Sequence, residues 1–362
     1  MPPAPGPPAP RGRGAAIDPP SRFEPLHVEP DPDAVDPDAP PRPTRFFREA
    51  TRRVLTHNAS ADVGFAVSLN PYRGCEHGCA YCYARPTHEY FGLSAGLDFE
   101  TTIFVKTDAP QRLRQALQSL RWRPQPIALS GVTDPYQPVE RRLRLTRACL
   151  EVCAEFRQPV VVVTKNALVL RDLDLLAELA RHGAAAVFLS VTTLREGLRR
   201  RLEPRTTTAA RRLEAMRALA AAGVPVGVMV APVIPGLTDE EMGSILAAAA
   251  AAGARWAGMV PLRLPGAVAP VFVDWLRRNE PDRAHRVLAR VRAMRGGRLN
   301  DPRFGHRMRG QGVYADTLYA LFRTLCRRHH LNAAPLPVSA AAFRRPNPPP
   351  PQLDLFGTGG AT

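Results

Sequence analysis

The pattern that most constrains this chain is a repeated alternation of short β-branched runs with longer helical stretches. From Phe65 onward the runs are VSLN (67–70), TIFVK (102–106), IALS (127–130), VVVVT (160–164), VFLSV (187–191), VGVMVA (226–231) and WAGMVPL (256–262). Between them lie segments of helical character such as RLTRACLEVCAEF, TAARRLEAMRALAAAG and TDEEMGSILAAAAAAG, several opened by Thr or Asp and closed by Gly as helix caps require. Six or seven βα units in succession imply an α/β fold around a parallel sheet. The strands are nearly unbroken Val, Ile and Leu, as expected when both sheet faces are buried, so a doubly wound sheet and a partial or full (β/α) barrel both satisfy the pattern.

Proline bounds the foldable part. Residues 1–44 hold PPAPGPPAP and DPDAVDPDAPPRP and read as a disordered or polyproline-II arm that contributes nothing to the core. Residues 45–265 are the barrel core. Residues 266–335, with two more helical stretches separated by GGRLNDPRFGHRMRGQG, form a helical extension that closes one end of it. Residues 336–362 return to a proline-rich, disordered tail. No charge-free apolar run of membrane-spanning length occurs, and MPPAPGPPAPRGRG lacks the apolar region of a secretory signal, so the expected location is cytoplasmic.

Polar residues end nearly every apolar run: Asn70, Lys106-Thr107-Asp108, Thr133-Asp134, Thr164-Lys165-Asn166 and Ser190 with Thr192-Thr193. In βα folds ligands sit beyond the carboxyl ends of the strands, so these groups are expected to share one mouth. Lys106 and Lys165 are the only lysines among 49 basic residues. Arginine supplies the remaining cations, so a retained lysine suggests a place where a compact ammonium is wanted. The excess of basic over acidic residues, a net +16, favours a polyanionic partner, of which nucleic acid is the commonest.

Six cysteines are too few for a disulfide scaffold, and three of them, Cys75, Cys79 and Cys82, fall in one C-x3-C-x2-C loop after the first predicted strand. Three thiolates without a nearby fourth suit a 4Fe-4S cluster that leaves one iron open. The alternative is a structural zinc ion completed by His77 or His88, although such sites usually pair cysteines from two knuckles. Cys149 and Cys153 stand at i and i+4 on an apolar helix face and read as core, as does Cys326 in the last helix.

The cysteine loop, with an aromatic residue just before its third cysteine, resembles that of the radical S-adenosylmethionine (radical SAM) superfamily. NPYRGCEHGCAYCYARPTHEY, together with GVTDPYQPVE, VTKN, SVTT, LEPRT and PVIPGLTD, resembles the spore photoproduct lyase-like branch and, more closely, its uncharacterised bacterial relatives, over about residues 58–325. The resemblance implies a 4Fe-4S cluster on Cys75, Cys79 and Cys82 whose open iron chelates S-adenosylmethionine, and an electron donor that drives its cleavage to a 5′-deoxyadenosyl radical. It implies that Tyr81 packs near the adenine, that Gly131 and Asp134 meet the cofactor's amino group, and that Lys165 meets its carboxylate. Ser190 and Glu203 are candidates for the ribose and for pairing an arginine, and Tyr83 for a radical relay. One departure stands out: the lyase uses a further cysteine in its early βα units as hydrogen donor, and no cysteine lies here between Cys82 and Cys149.

After PPPP, the tail carries Gln352, Leu353, Asp354, Leu355 and Phe356, which resembles the pentapeptide that binds the bacterial sliding clamp. An extended segment of this kind can insert Leu355 and Phe356 into an apolar groove. The same residues could instead dock on the barrel itself. Charge, lyase-like barrel and tail together favour a radical SAM enzyme acting on DNA. Radical SAM modification of RNA or protein and a non-catalytic Fe-S nucleic-acid-binding module are the alternatives.

Overall fold

The computed structural model describes residues 10–23, 42–51, 53–60, 62–129 and 131–346. Ten strands run in chain order: β1 Arg45–Arg48, β2 Leu55–His57, β3 Val67–Leu69, β4 Tyr72–Arg73, β5 Thr102–Val105, β6 Ile127–Leu129, β7 Val160–Thr164, β8 Ala185–Ser190, β9 Val226–Val233 and β10 Trp256–Pro261. Seven of them form one sheet in the order β10-β9-β8-β7-β6-β3-β2, parallel throughout except for the antiparallel edge strand β2.

Strand order decides between the two architectures that the pattern left open. From β3 to β10 each strand of this sheet lies beside its predecessor, so every crossover travels in the same direction. Right-handed crossovers that never reverse put all helices on one face and curl the sheet around the other, whereas a doubly wound sheet needs a reversal. The fold is therefore a partial (β/α) barrel. The helices Leu145–Phe156, Leu173–Arg181, Ala209–Ala221 and Met242–Ala251 follow strands β6 to β9 and contribute to one large apolar core with Val160, Val162, Val187, Val226 and Val228. Thr208 caps the Ala209–Ala221 helix by accepting from the Arg211 N–H, and Gly223, at φ +77°, ends it.

TIFVK forms a strand but does not join the barrel. β5 pairs with β1 and β4 in a separate three-stranded sheet. Lys106 accordingly stands in that second sheet, 4.0 Å from Glu49, which also holds Arg73 at 2.8 Å. The strands β1, β2 and β4 escape a reading of apolar runs because they are short and carry charged or exposed residues such as Arg45, Arg48 and His57.

The free edges of the sheet are β10 and β2. On the β10 side Asn332 bonds both the N–H and the C=O of Ala257, at 2.9 Å each, which occupies backbone groups that would otherwise invite another strand. Across the gap runs the Gly- and Arg-rich segment 296–312. Arg295 fixes one side of it, donating to the Pro261 and Leu262 carbonyls at the end of β10 and to those of His306 and Arg307. Asp62, in the β2–β3 connection, fixes the other by accepting from the Gly305 N–H and from Arg307, at 2.7 Å each. The helices Val268–Asn279 and Pro281–Ala293 add a second core with Leu262, Leu264 and Tyr81.

Two described segments at the ends are packed where a disordered arm and tail were expected. Residues 10–19 lie against the cysteine loop: Ala15 is fully buried, and the Gly14 and Ala15 N–H groups donate to the buried Glu100 carboxylate at 3.1 and 2.9 Å. Proline count is a poor guide there, because RGRGAAI supplies small residues that can approach another backbone closely. Residues 336–346 cross the opposite end of the barrel, with Phe343 on Phe156, Ser339 N–H on the Gly183 carbonyl and Arg345 on the Trp122 carbonyl. Among the described residues no helix is long and apolar enough to cross a membrane.

A Cβ at position 14 would stand 1.9 Å from the Gly78 carbonyl oxygen, a clash with backbone that no rotamer relieves. Gly14→Ala should therefore unseat residues 10–19 and raise their amide hydrogen exchange by roughly ten- to a hundredfold, the scale of losing a charge-assisted hydrogen bond or two. Unchanged exchange across that segment would contradict the packing described.

Candidate active site

A hoop of polar contacts links the carboxyl ends of the barrel strands. The Asn70 carboxamide oxygen, after β3, accepts from the Val132 N–H beyond β6 at 3.1 Å. Asp134 accepts from the Thr164 hydroxyl at 2.6 Å and from the Lys165 N–H at 2.8 Å, which joins the β6 and β7 ends. The Lys165 ammonium donates to the Thr192 hydroxyl after β8 at 3.2 Å and to the Ala231 carbonyl of β9 at 3.0 Å. The run ends Asn70, Asp134, Thr164, Lys165 and Thr192 thus converge.

The cysteine loop is seated on this hoop by its non-cysteine residues. His77 lies 3.4 Å from Asp134 through Nδ1 and 3.3 Å from the Asn166 carboxamide through Nε2. Tyr81 donates to Glu203, lies 3.2 Å from the Thr192 hydroxyl, and has the Lys165 ammonium 5.5 Å from its ring centroid. From behind, Arg85, fully buried, donates to the Cys79, Ala95 and Gly96 carbonyls and pairs with Glu100. Glu76 accepts from the Val139 N–H at 2.7 Å and meets Arg205 at 3.2 Å. A loop without regular secondary structure must satisfy its backbone in this way, through side chains and neighbouring elements.

Two carboxylates, one buried and one nearly so, govern the electrostatics. Glu203 has no exposed surface, with Lys165 at 3.2 Å on one oxygen and Arg212 at 2.7 Å on the other. Burial alone would raise its pKa, but Lys165 and Arg212, helped by the Tyr81 hydroxyl, outweigh it and hold the carboxyl well below the usual carboxylate range. Asp134 is governed alike: burial opposes its charge, and His77, Thr164 and the Lys165 N–H together keep it below the usual value. With a further bond from the Tyr136 N–H at 2.9 Å, both Asp134 oxygens already serve internal donors. That arrangement differs from an open acceptor awaiting a ligand's ammonium, because the groups that approach Asp134 belong to its own framework.

Lys165, Tyr81 and Glu203 form one network, and Arg212 completes it by also donating to the Ser190 carbonyl at 2.7 Å. Ser190 is tied in through its backbone. Gly131, at φ +136°, accepts from the Tyr83 hydroxyl at 2.7 Å, and Tyr83 itself is half-exposed with the Arg263 guanidinium 5.0 Å from its ring centroid. Arg85, Glu100, Thr192 and Arg212 emerge as site-forming residues. In the sequence Arg85 and Arg212 are two arginines among many, and their partners Glu100 and Glu203 lie 15 and 9 positions away, so no local spacing marks them. Gln352, Leu353, Leu355 and Phe356 lie outside the described residues.

The donor set fits a 4Fe-4S cluster. Cys75, Cys79 and Cys82 are free thiols within electrostatic reach of one another, and burial is the main cause that pushes each above the ordinary cysteine value. Among the described residues no three His, Cys, Asp or Glu side chains are gathered to hold a single metal ion. Thiolates that each take a separate iron of a cluster need not converge in that way. Cys149 and Cys153 are fully buried in the main core and Cys326 nearly so, as their spacing implied.

The Radical SAM superfamily model matches residues 69–249, half of the chain, and the chain belongs to that superfamily, whose members use a 4Fe-4S cluster and S-adenosylmethionine. An uncharacterised protein of Mycobacterium tuberculosis is 40% identical over 227 residues, 62% of this chain and 66% of its own length. An uncharacterised protein of Methanocaldococcus jannaschii is 28% identical over 173 residues, 48% of this chain and 62% of its own. A mutant of spore photoproduct lyase with bound AdoMet and dinucleoside spore photoproduct shares the fold at a TM-score of 0.56, with 17% identity over 78% of this chain and 79% of that one.

Glu203→Gln leaves two cations with a neutral partner in a buried site and should cost about 3–5 kcal/mol of folding free energy at neutral pH. The folded carboxyl lies below its unfolded value of about 4.3, so its stabilisation is complete above that value and is lost as pH falls through the folded one. The wild-type advantage in urea denaturation should therefore be constant near neutrality and shrink below about pH 4. Equal midpoints at pH 7 would sink this account.

Proposed function

We propose that this chain is a radical SAM enzyme that acts on DNA. The observation that carries the chemistry is the seating of three free thiols beside the Tyr81–Glu203–Lys165 network at the carboxyl ends of the strands. Cys75, Cys79 and Cys82 would hold the cluster, which when bound supplies reductive cleavage of S-adenosylmethionine. Lys165 brings a positive charge to the mouth on an ammonium held by three internal oxygens, and Tyr81 an aromatic face steadied by Glu203. Asp134 acts on the framework: it holds Lys165, through its N–H, against the cysteine loop, through His77.

Support for DNA comes from the net charge of +16 and from the shared fold of the lyase solved with a dinucleoside photoproduct. The reaction itself need not be that of the lyase. All described thiols outside the loop are buried in the core, so a hydrogen atom would have to come from another group. We assign that role to Tyr83, the half-exposed phenol at the mouth whose hydroxyl donates to Gly131. The motif of Gln352, Leu353, Leu355 and Phe356 further suggests recruitment by a sliding clamp, and that part rests on sequence alone.

Protein reconstituted anaerobically should carry about four irons per chain, lost in Cys75→Ala, Cys79→Ala or Cys82→Ala and retained in Cys149→Ala and Cys326→Ala. Incubation with S-adenosylmethionine, dithionite and either ultraviolet-treated or untreated DNA should yield 5′-deoxyadenosine and a DNA mass change, with the latter lost in Tyr83→Phe. Cleavage of the cofactor with RNA alone producing a modified strand would overturn the DNA assignment, and a colourless, zinc-bearing protein would overturn the enzyme.

A further inference from the structure

The segment 296–312 holds an aromatic ring out to solvent beside the mouth. Phe304 is 65% exposed, and the Arg307 guanidinium lies over it, 4.3 Å from the ring centroid. Its place is fixed rather than accidental. The turn carrying it is clamped by Arg295 to the end of β10 and by Asp62 to the β2–β3 connection, through the Gly305 N–H immediately after the ring.

The same motif recurs toward the site. Tyr83 is half-exposed beneath Arg263, and Arg263 reaches back to the Met308 sulfur at 3.2 Å, next in sequence to Arg307. A track thus runs from Phe304 and Arg307 through Met308 and Arg263 to Tyr83, whose hydroxyl bonds Gly131 at the end of β6. Between residues 298 and 309 the segment carries four arginines against one aspartate. Exposed rings alternating with guanidinium groups match an unpaired nucleic-acid strand, whose bases offer flat faces and whose phosphates offer charge.

We infer that Phe304 is a stacking platform for an unpaired DNA base, which guides a single strand along the Arg307–Arg263 track to the mouth. The inference rests on the DNA reading of the function and adds the surface that would hold the substrate. An apolar partner peptide fits less well, because the arginines beside the rings give the surface a positive charge that phosphates match and an apolar peptide does not.

The test uses full-length, cluster-loaded protein and a fluorescein-labelled single-stranded DNA of about twelve nucleotides, within the usual site size. Phe304→Ala should weaken binding about five- to a hundredfold, Phe304→Tyr should restore it, and neither should move the melting temperature or the iron content, since the ring is exposed. On a strand of the same length with abasic sites, Phe304→Ala should have no further effect, because phosphate contacts do not use the ring. Equal weakening on both strands, or wild-type affinity in Phe304→Ala, overturns the stacking site while leaving DNA as the substrate class. A wild-type protein that ignores the oligonucleotide overturns the DNA reading itself. Preference for an acidic peptide over the oligonucleotide, abolished by Phe304→Ala, overturns the inference in favour of a protein partner.

Discussion

A glutamate with no exposed surface can remain charged only if cations replace the water it has lost, and at Glu203 two do so. Lys165 comes from the end of β7 and Arg212 from the Ala209–Ala221 helix. Tyr81 comes from the cysteine loop, and Arg212 reaches on to the Ser190 carbonyl at the end of β8. One carboxylate therefore determines how far the loop can stand from the barrel and where the ammonium points. A compact lysine is suited to this corner because its three donors address a carboxylate, a hydroxyl and a carbonyl at once, which a planar guanidinium could not match.

The cysteine loop repeats the device on its other side. Glu100 is buried against Arg85 and takes the N–H groups of Gly14 and Ala15, so a segment distant in sequence becomes part of the loop's support. Burial of the thiols raises their pKa values. Thiolate ligation must therefore release protons, and the strength of metal binding is coupled to pH. Arg85–Glu100 and Arg205–Glu76 are one-to-one pairs, whereas two cations meet the single Glu203 carboxylate, so that corner adds one positive charge beside the loop.

The parallel sheet was legible because period and residue type agree: the Val-rich runs at 160–164 and 226–231 could be little else. The cysteines, Tyr81, Lys165 and Glu203 were legible as candidates because rare residue types occupy marked positions. Three things were hidden. TIFVK has the composition of a barrel strand, and only its pairing with β1 removes it from the barrel. Residues 10–19 looked like linker because proline surrounds them, while the property that matters is the absence of a Cβ at Gly14. Arg85 and Arg212 were invisible in a chain where arginine is the default cation, since a buried arginine differs from a solvated one only through partners brought near by folding.

The open side of the barrel gives these pieces a common geometry. This sheet, whose crossovers all run one way, curls but stays open, because β10 does not pair with β2. The gap is spanned by side chains and turns: Arg295 at one edge, Asp62 at the other, and the segment 296–312 between them. A span held by such contacts can still turn a side chain such as Phe304 outward, whereas another strand would bury alternate residues and present backbone. The incomplete barrel thus combines a rigid polar hoop at the strand ends with an adaptable cationic rim beside it, and variation in that rim can change what approaches the mouth without disturbing Glu203 or the cysteine loop.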